Sequence, residues 1–260
     1  MRPIWKGAIS FGLVTIPVGL YAATESKRPR FRQLRESDHS PIRYKRVAEA
    51  DGEEVPYEHI VKGYEIDKGR YVVFTPDELS DIMTGISGGT VDVVQFVDEH
   101  EIDPIYYRSA YYLAPEKTGV KAYRLLRDAL TRKQMVGLAK AAIREREYPA
   151  TIRVEDDVLV LETMFWPDEI REPRFETLEE EIEVRDEELA MAEMIIDNLA
   201  AAFDPTVWVD ESREAVEAAA EKKADGQEIV APEAPQATGV VDLMEALKAS
   251  VEATKARKAG

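Results

Sequence analysis

The stretch "RPIWKGAISFGLVTIPVGLY", residues 2–21, decides how the chain is read. Residues 9–21 are almost wholly apolar, yet Pro17 and two glycines interrupt them. The run falls short of the roughly 18 residues that span a bilayer. It also lacks the small-residue cleavage site of a secretory signal. Apolar residues in short runs broken by glycine predict a buried pair of β-strands at the start of a mainly β domain.

Working outward, the first two-thirds of the chain reads as strands with tight turns. Residues 42–47 alternate, which predicts a strand with Arg43 and Lys45 on one face and Ile42 and Tyr44 on the other. Asp51-Gly52 tolerates positive φ and predicts a hairpin returning through residues 53–57. A second hairpin is expected from residues 63–66 and 70–74 around Asp67-Lys68-Gly69. Thr75-Pro76-Asp77-Glu78 then carries three helix-start cues: a capping threonine, a first-turn proline and a capping-box glutamate. Further strands are expected at residues 90–97 and 110–113, and residues 136–143 fit strand and helix equally. Residues 151–154 and 158–165 form a hairpin around Asp156-Asp157, and the second strand, apolar on both faces, is expected to be central.

Helical periodicity appears in four later stretches. Residues 121–132 predict an amphipathic helix with Ala122, Leu125, Leu126, Ala129 and Leu130 inward and Lys121, Arg124, Arg127 and Arg132 outward. After Arg185, Leu189, Ala192, Ile195, Ile196, Leu199 and Phe203 recur behind an Asp186 cap until Asp204-Pro205. A second helix is expected over residues 210–224. The proline and small-residue segment 231–239 reads as a flexible linker. Beyond it, residues 240–257 predict a last helix with Val240, Leu243, Met244, Leu247 and Val251 on one side. The domain expectation is therefore a β core over 1–185 with an insertion at about 25–100, a helical arm over 186–230, the linker 231–239, and a C-terminal helix with a short basic tail over 240–260.

Composition narrows the function. The 260 residues carry a formal net charge of −17 and no cysteine, which excludes disulfides, thiolate metal sites and a cysteine nucleophile. With no spanning segment, a cytoplasmic location is the default expectation, without a membrane partner. The charge is unevenly spread. Residues 1–46 hold 10 Lys/Arg against 3 Asp/Glu, and residues 121–153 hold 9 against 3. Residues 47–120 hold 5 against 16, and residues 154–260 hold 10 against 29. Two basic segments in an acidic chain predict an anionic partner, the competing reading being internal ion pairs with acidic neighbours. The three histidines, His39, His59 and His100, are far apart in sequence and suggest no metal pair. No Gly-rich phosphate cradle or nucleophile elbow is present, and nothing predicts an enzyme, a cofactor or a metal site.

The motif order resembles bacterial Ku, the family of DNA-end-binding proteins of non-homologous end joining. The resemblance rests on residues 2–21 together with "IRYKRVAEADGEEVPYEHIVKGYE" (42–65), "EIDPIYYRSAYYLAPEK" (101–117) and "VLETMFWPDEIR" (160–171). "ELAMAEMIIDNL" (188–199) and "VVDLMEALKAS" (240–250) extend it over nearly the whole chain. It implies a mixed, mainly β fold: a Ku-type β-barrel core with a bridge insertion, which forms a ring in a homodimer, followed by a C-terminal helical arm. It further implies a non-enzymatic protein, nucleoid-associated at DNA breaks. That protein threads the ends of double-stranded DNA without sequence specificity and recruits an ATP-dependent DNA ligase, ligase D, through its C-terminal region. Two features depart from the family pattern. Family members often carry CxxC after "YKRV", where this chain has Ala48-Glu49-Ala50-Asp51. Some end in a long Lys-rich tail, where it has only Lys255, Arg257 and Lys258.

A protein that binds any broken end must hold phosphates, which are the same in every sequence. The channel wall is therefore expected to be lined by Lys27, Arg28, Arg30, Arg32, Arg35, Arg43, Lys45 and Arg46, with Arg70, Lys117, Lys121 and Arg124 in second rank. Val240, Leu243, Met244, Leu247 and Val251 are the expected ligase-docking stripe. Two other readings stay open: an acidic scaffold that binds only proteins, and a single-strand or RNA-binding barrel stacking bases on Tyr106, Tyr107, Tyr111 and Tyr112.

Overall fold

The computed structural model describes residues 1–87, 89–143, 146–227 and 242–259. The opening stretch forms the antiparallel strands β1 (Trp5–Phe11) and β2 (Val14–Ala22), in register from Trp5↔Leu20 to Phe11↔Val14. Gly12, at φ +59°, takes the first central position of the turn, where a side chain would be strained. Alternation sends Ile9, Ile16, Val18 and Leu20 fully inside. Pro17 sits just before the β2–β6 ladder begins at Val18↔Pro115, so its missing N–H removes no bond from that ladder.

These strands belong to a closed seven-stranded barrel. The others are β5 (Thr90–Val97), β6 (Tyr107–Pro115), β7 (Val136–Ile143), β8 (Arg146–Glu155) and β9 (Val158–Met164). Outside it, β3 (Lys62–Asp67) and β4 (Arg70–Phe74) pair only with each other. The barrel order is β1-β2-β6-β9-β8-β7-β5. All neighbours are antiparallel except β5, which runs parallel to β1 from Ala8↔Thr90 to Phe11↔Val93 and closes the barrel. Closure pairs every edge, so no open ladder is left on the barrel. Residues 136–143, ambiguous in sequence, are a strand buried along most of its length between β5 and β8. A doubly covered strand has no polar face to mark its period. β9 is flanked by β6 and β8, the central place expected of it, and Asp156 at φ +49° turns the β8–β9 hairpin.

Gly7 marks a close approach. A Cβ there would lie 2.5 Å from the Gly89 carbonyl oxygen and closer still to the Trp5 ring. Gly7→Ala is expected to cost about 1–3 kcal/mol by overpacking. At this chain length that lowers Tm by roughly 2–4 °C per kcal/mol, which a thermal melt would read.

Helix α2 (Val120–Lys133) packs on β2 and β8 through Tyr123, Leu126 and Leu130. The expected stripe is corrected here, because Leu125 and Ala129 face solvent and Tyr123 lies inward. The Tyr123 hydroxyl donates to the Leu113 carbonyl of β6 and accepts from the Leu159 amide of β9, both at 2.7 Å. A tyrosine is buried when both ends are satisfied, and this one ties two neighbouring strands to the helix.

Between β2 and β5 lies residues 23–89, so β5, counted in the expected insertion, is a barrel strand. β3 and β4 turn at Gly69, φ +78°. Helix α1 (Pro76–Ser87) starts with the expected capping box: the Glu78 amide donates to Thr75 Oγ1, and the Glu78 carboxylate accepts from the Thr75 amide. The hairpin expected over 42–57 is corrected. Residues 42–46 form no strand, and only the bridges Leu34↔Pro41 and Val47↔Glu54 are made. The Asp51-Gly52 turn does form, with Gly52 at φ +76° and the Val55 amide donating to the Arg46 carbonyl at 2.8 Å. Both sides of this segment are exposed, and a strand pair without a face to bury is marginal in water.

The chain divides into two compact units, Met1–Lys27 with Arg32–Glu172, and Arg28–Phe31 with Pro173–Gly260. The second holds α3 (Asp186–Leu199), α4 (Glu211–Ala224) and α5 (Leu243–Ala259). Asp186 is the first helical residue and not the cap. The Glu188 carboxylate reaches back to the Arg185 amide at 2.9 Å, as acids do at helix starts. α3 and α5 pack on each other. The expected linker, 231–239, lies outside the described residues.

Candidate nucleic-acid interface

Among the twelve cations expected on the channel wall, the fold distinguishes engaged from free. Lys27 pairs with Glu25, Arg35 with Asp38, Lys45 with Glu54 at 2.5 Å and Arg70 with Asp67 at 3.6 Å. Each pair is exposed, so it shields charge more than it stabilises the fold. The Arg35 guanidinium holds the Asp38 carboxyl far below the ordinary carboxylate range, helped by the Ser40 amide. Arg46 stacks over the Tyr57 ring, 5.2 Å from its centre, which leaves its full charge in place.

Arg28, Arg30, Arg32, Arg43, Lys117, Lys121 and Arg124 have no ion-pair partner among the described residues, and all seven are exposed. Arg28 and Arg30 group with the C-terminal unit, and the other ten cations with the barrel unit. Arg43 and Lys45 lie in irregular chain, so the common strand face expected for them is not formed.

The second basic segment behaves differently. Lys117 lies just before α2 and lines an open cleft of about 420 Å³ with Lys6, Tyr21, Glu116 and Thr118. Gly119 gives α2 no side-chain cap and the first turn carries no acid, so its amides add positive potential beside Lys117 and Lys121. Arg124 is on the solvent side of the same helix. Lys6, bridged to Glu116 at 3.0 Å, is a cleft cation that sequence reasoning passed over, because it stands alone among apolar strand residues. Two other cations of this segment, Arg127 and Arg153, serve the fold. Arg127 holds Asp128 and Asp157, bridging α2 to the β8–β9 turn. Arg153 forks onto both oxygens of Glu162 at 3.1 Å and also holds Glu155. Burial works against the Arg153 charge, yet bonds from Glu162 and Glu155 raise its pKa well above the ordinary arginine value. For these residues the internal ion-pair reading is the correct one.

Tyr106, Tyr107, Tyr111 and Tyr112, the stacking platform of the RNA reading, are each partly covered at or within β6, so no open aromatic row is presented. Of the docking stripe, Val240 lies outside the described residues. Leu243 is exposed, Met244 and Leu247 are half-buried, and Val251 is buried in the unit that α5 shares with α3. Lys255 is exposed, and the side chains of Arg257 and Lys258 lie outside the described set. Among the described residues no three His, Asp or Glu side chains converge as a metal site, and no helix is long and apolar enough to cross a membrane.

The chain resembles known proteins along its whole length. The family model for the Ku70/Ku80 beta-barrel domain matches residues 10–191. The chain is 50% identical to the Non-homologous end joining protein Ku of Frankia casuarinae, over all of this chain and 66% of that protein. It is 45% identical to the protein of that name from Heliobacterium modesticaldum, over 99% of this chain and 94% of the relative. For the Bacillus subtilis protein of that name the identity is 39%, over 98% and 83%. The chain thus spans just under two-thirds of the Frankia protein and most of the other two. It belongs to the Ku family.

Proposed function

We propose that this Ku-family chain binds the ends of linear double-stranded DNA without sequence specificity, as a ring-shaped homodimer, in double-strand break repair by non-homologous end joining. In this role it holds DNA and performs no chemistry, and it recruits and stimulates an ATP-dependent DNA ligase, ligase D. The observation that carries the reading is that Arg28, Arg30, Arg32 and Arg43 have no acidic partner among the described residues, in a chain of net charge −17. Exposed arginines that no described acid offsets are available to phosphates, and binding them releases condensed counterions. The acid elsewhere repels DNA from other surfaces and favours contact at these arginines.

The homodimer is supported by apolar surface that one copy leaves uncovered. Tyr64, Ile66, Tyr71 and Val72 stand exposed on β3 and β4, a two-stranded sheet with no covering layer among the described residues. Phe203 and Trp208 are 82% and 77% exposed in the C-terminal unit. A second copy is the partner that a symmetric ring supplies to such faces.

The ring reading is tested with two DNAs of identical sequence, one linear and one covalently closed. Linear duplex is expected to bind, and the closed circle to give no salt-resistant complex, because a ring loads only from an end. Equal binding to both overturns the ring and leaves only phosphate contact. Solution mass at working concentration reads the dimer directly, and a monomer there refutes it.

A further inference from the structure

We propose that α5 is a releasable latch, closed on α3 in the free protein and opened when the ligase takes α5 into a groove of its own. The inference rests on the reading of the C-terminal helix as the ligase-docking element, and it adds how that element is controlled.

The stripe that would face a ligase already has an occupant. Met244 and Leu247 are half-buried, and Val251 and Thr254 are 7% and 8% exposed. On α3, Met191, Ala192, Ile195 and Asn198 are half-covered at matching helical spacing. Val251 and Thr254 are the only buried residues of the C-terminal unit among those described, so α3 against α5 is the centre of that unit. A partner that binds this stripe must therefore displace α3.

The contact is built to be reversible. The Asn198 side-chain amide donates to Thr254 Oγ1 at 3.4 Å, and that hydroxyl donates in turn to the Ser250 carbonyl at 2.9 Å. Polar residues inside a small helix–helix seam define its register at a cost in stability. Leu243, 61% exposed at the start of α5, stays free and offers the first foothold to an incoming groove. Exchange of one helical seam for another then needs no unfolding of α5 itself.

The chain has no cysteine, so Asn198→Cys with Thr254→Cys would introduce its only thiols. Oxidation of this variant is expected to leave binding of linear duplex unchanged and to abolish ligase stimulation. Reduction restores it in the same sample. A second variant opens the latch from the other side: Ile195→Asp weakens the seam without touching the α5 stripe. It is expected to lower the ligase concentration for half-maximal stimulation by up to about tenfold, the factor for a latch closed nine-tenths of the time. Full stimulation by the oxidised cysteine pair overturns the latch. So does a loss of stimulation in Ile195→Asp with DNA binding intact, which would make α3 part of the dock. A chain ending at residue 227 separates the two readings. If it stimulates fully, C-terminal docking itself fails; if it does not while the oxidised pair does, docking stands on the outer face of α5 and only the latch fails.

Discussion

With Arg28, Arg30, Arg32 and Arg43 replaced together by alanine, affinity for linear duplex is expected to fall by about three orders of magnitude near 0.1 M salt. Each lost phosphate contact takes ~0.9 from the slope of log K against log salt, so four contacts flatten it by ~3.6 per bound protomer. The effect should be equal for unrelated sequences, since phosphates carry no base information. The internal reference removes engaged cations together with their acids: Arg35 with Asp38, Lys45 with Glu54 and Arg70 with Asp67. That sixfold variant keeps the net charge and is expected to move the slope by less than ~1. A titration series in salt reads both variants. An unchanged slope in the arginine variant, or equal losses in the two, would take the free arginines off the DNA.

The second large effect belongs to the barrel. Tyr123→Phe removes one hydroxyl and leaves both the Leu113 carbonyl and the Leu159 amide unpartnered in a buried place. At about 1–3 kcal/mol for each orphaned group, a loss near 3 kcal/mol is expected. For a chain of this size that lowers Tm by roughly 6–12 °C. Duplex binding measured well below the transition should be intact, because Tyr123 points inward from α2, whereas Lys121 and Arg124 of the same helix face solvent. Burial raises the Tyr123 pKa, so the folded state keeps its proton longer than the unfolded chain does. Its contribution is complete below about pH 10 and is lost as the pH rises through the folded value. Tyr123→Phe should lack this alkaline step in a melt series. A Tm within a degree of the parent would show that the two strands find other partners for their bonds.

Much of the fold was legible because it is local. The β1–β2, β3–β4 and β8–β9 hairpins each join alternating or apolar strands through a turn whose residues tolerate positive φ, and those cues lie within about twenty residues of chain. The Thr75–Glu78 capping box is more local still. Where reading failed, the deciding information lay elsewhere in the chain. Residues 42–46 alternate like a strand, but they have no face to bury and remain irregular. Leu125 fits an apolar stripe, yet the barrel places Tyr123 inward because the strand ends of β6 and β9 offer its hydroxyl both an acceptor and a donor.

The candidate site shows the same division. The sequence by itself determined that the chain is acidic overall, that two of its segments are nonetheless basic, and that no thiol, phosphate cradle or nucleophile motif competes with a binding role. It could not show which cations are free. Arg43 and Lys45 are two residues apart and look equivalent, but only Lys45 meets Glu54 across the turn. Arg124 and Arg127 share a helix, but only Arg127 reaches Asp157 on a hairpin thirty residues later. Closure of the barrel by β5 against β1, and the seam between α3 and α5, were likewise decided only by tertiary structure. The physical reason is common to all of these. A turn or a cap is fixed by neighbours along the chain, whereas the neutralisation of a charge and the covering of an apolar face depend on which distant segment folding brings beside them.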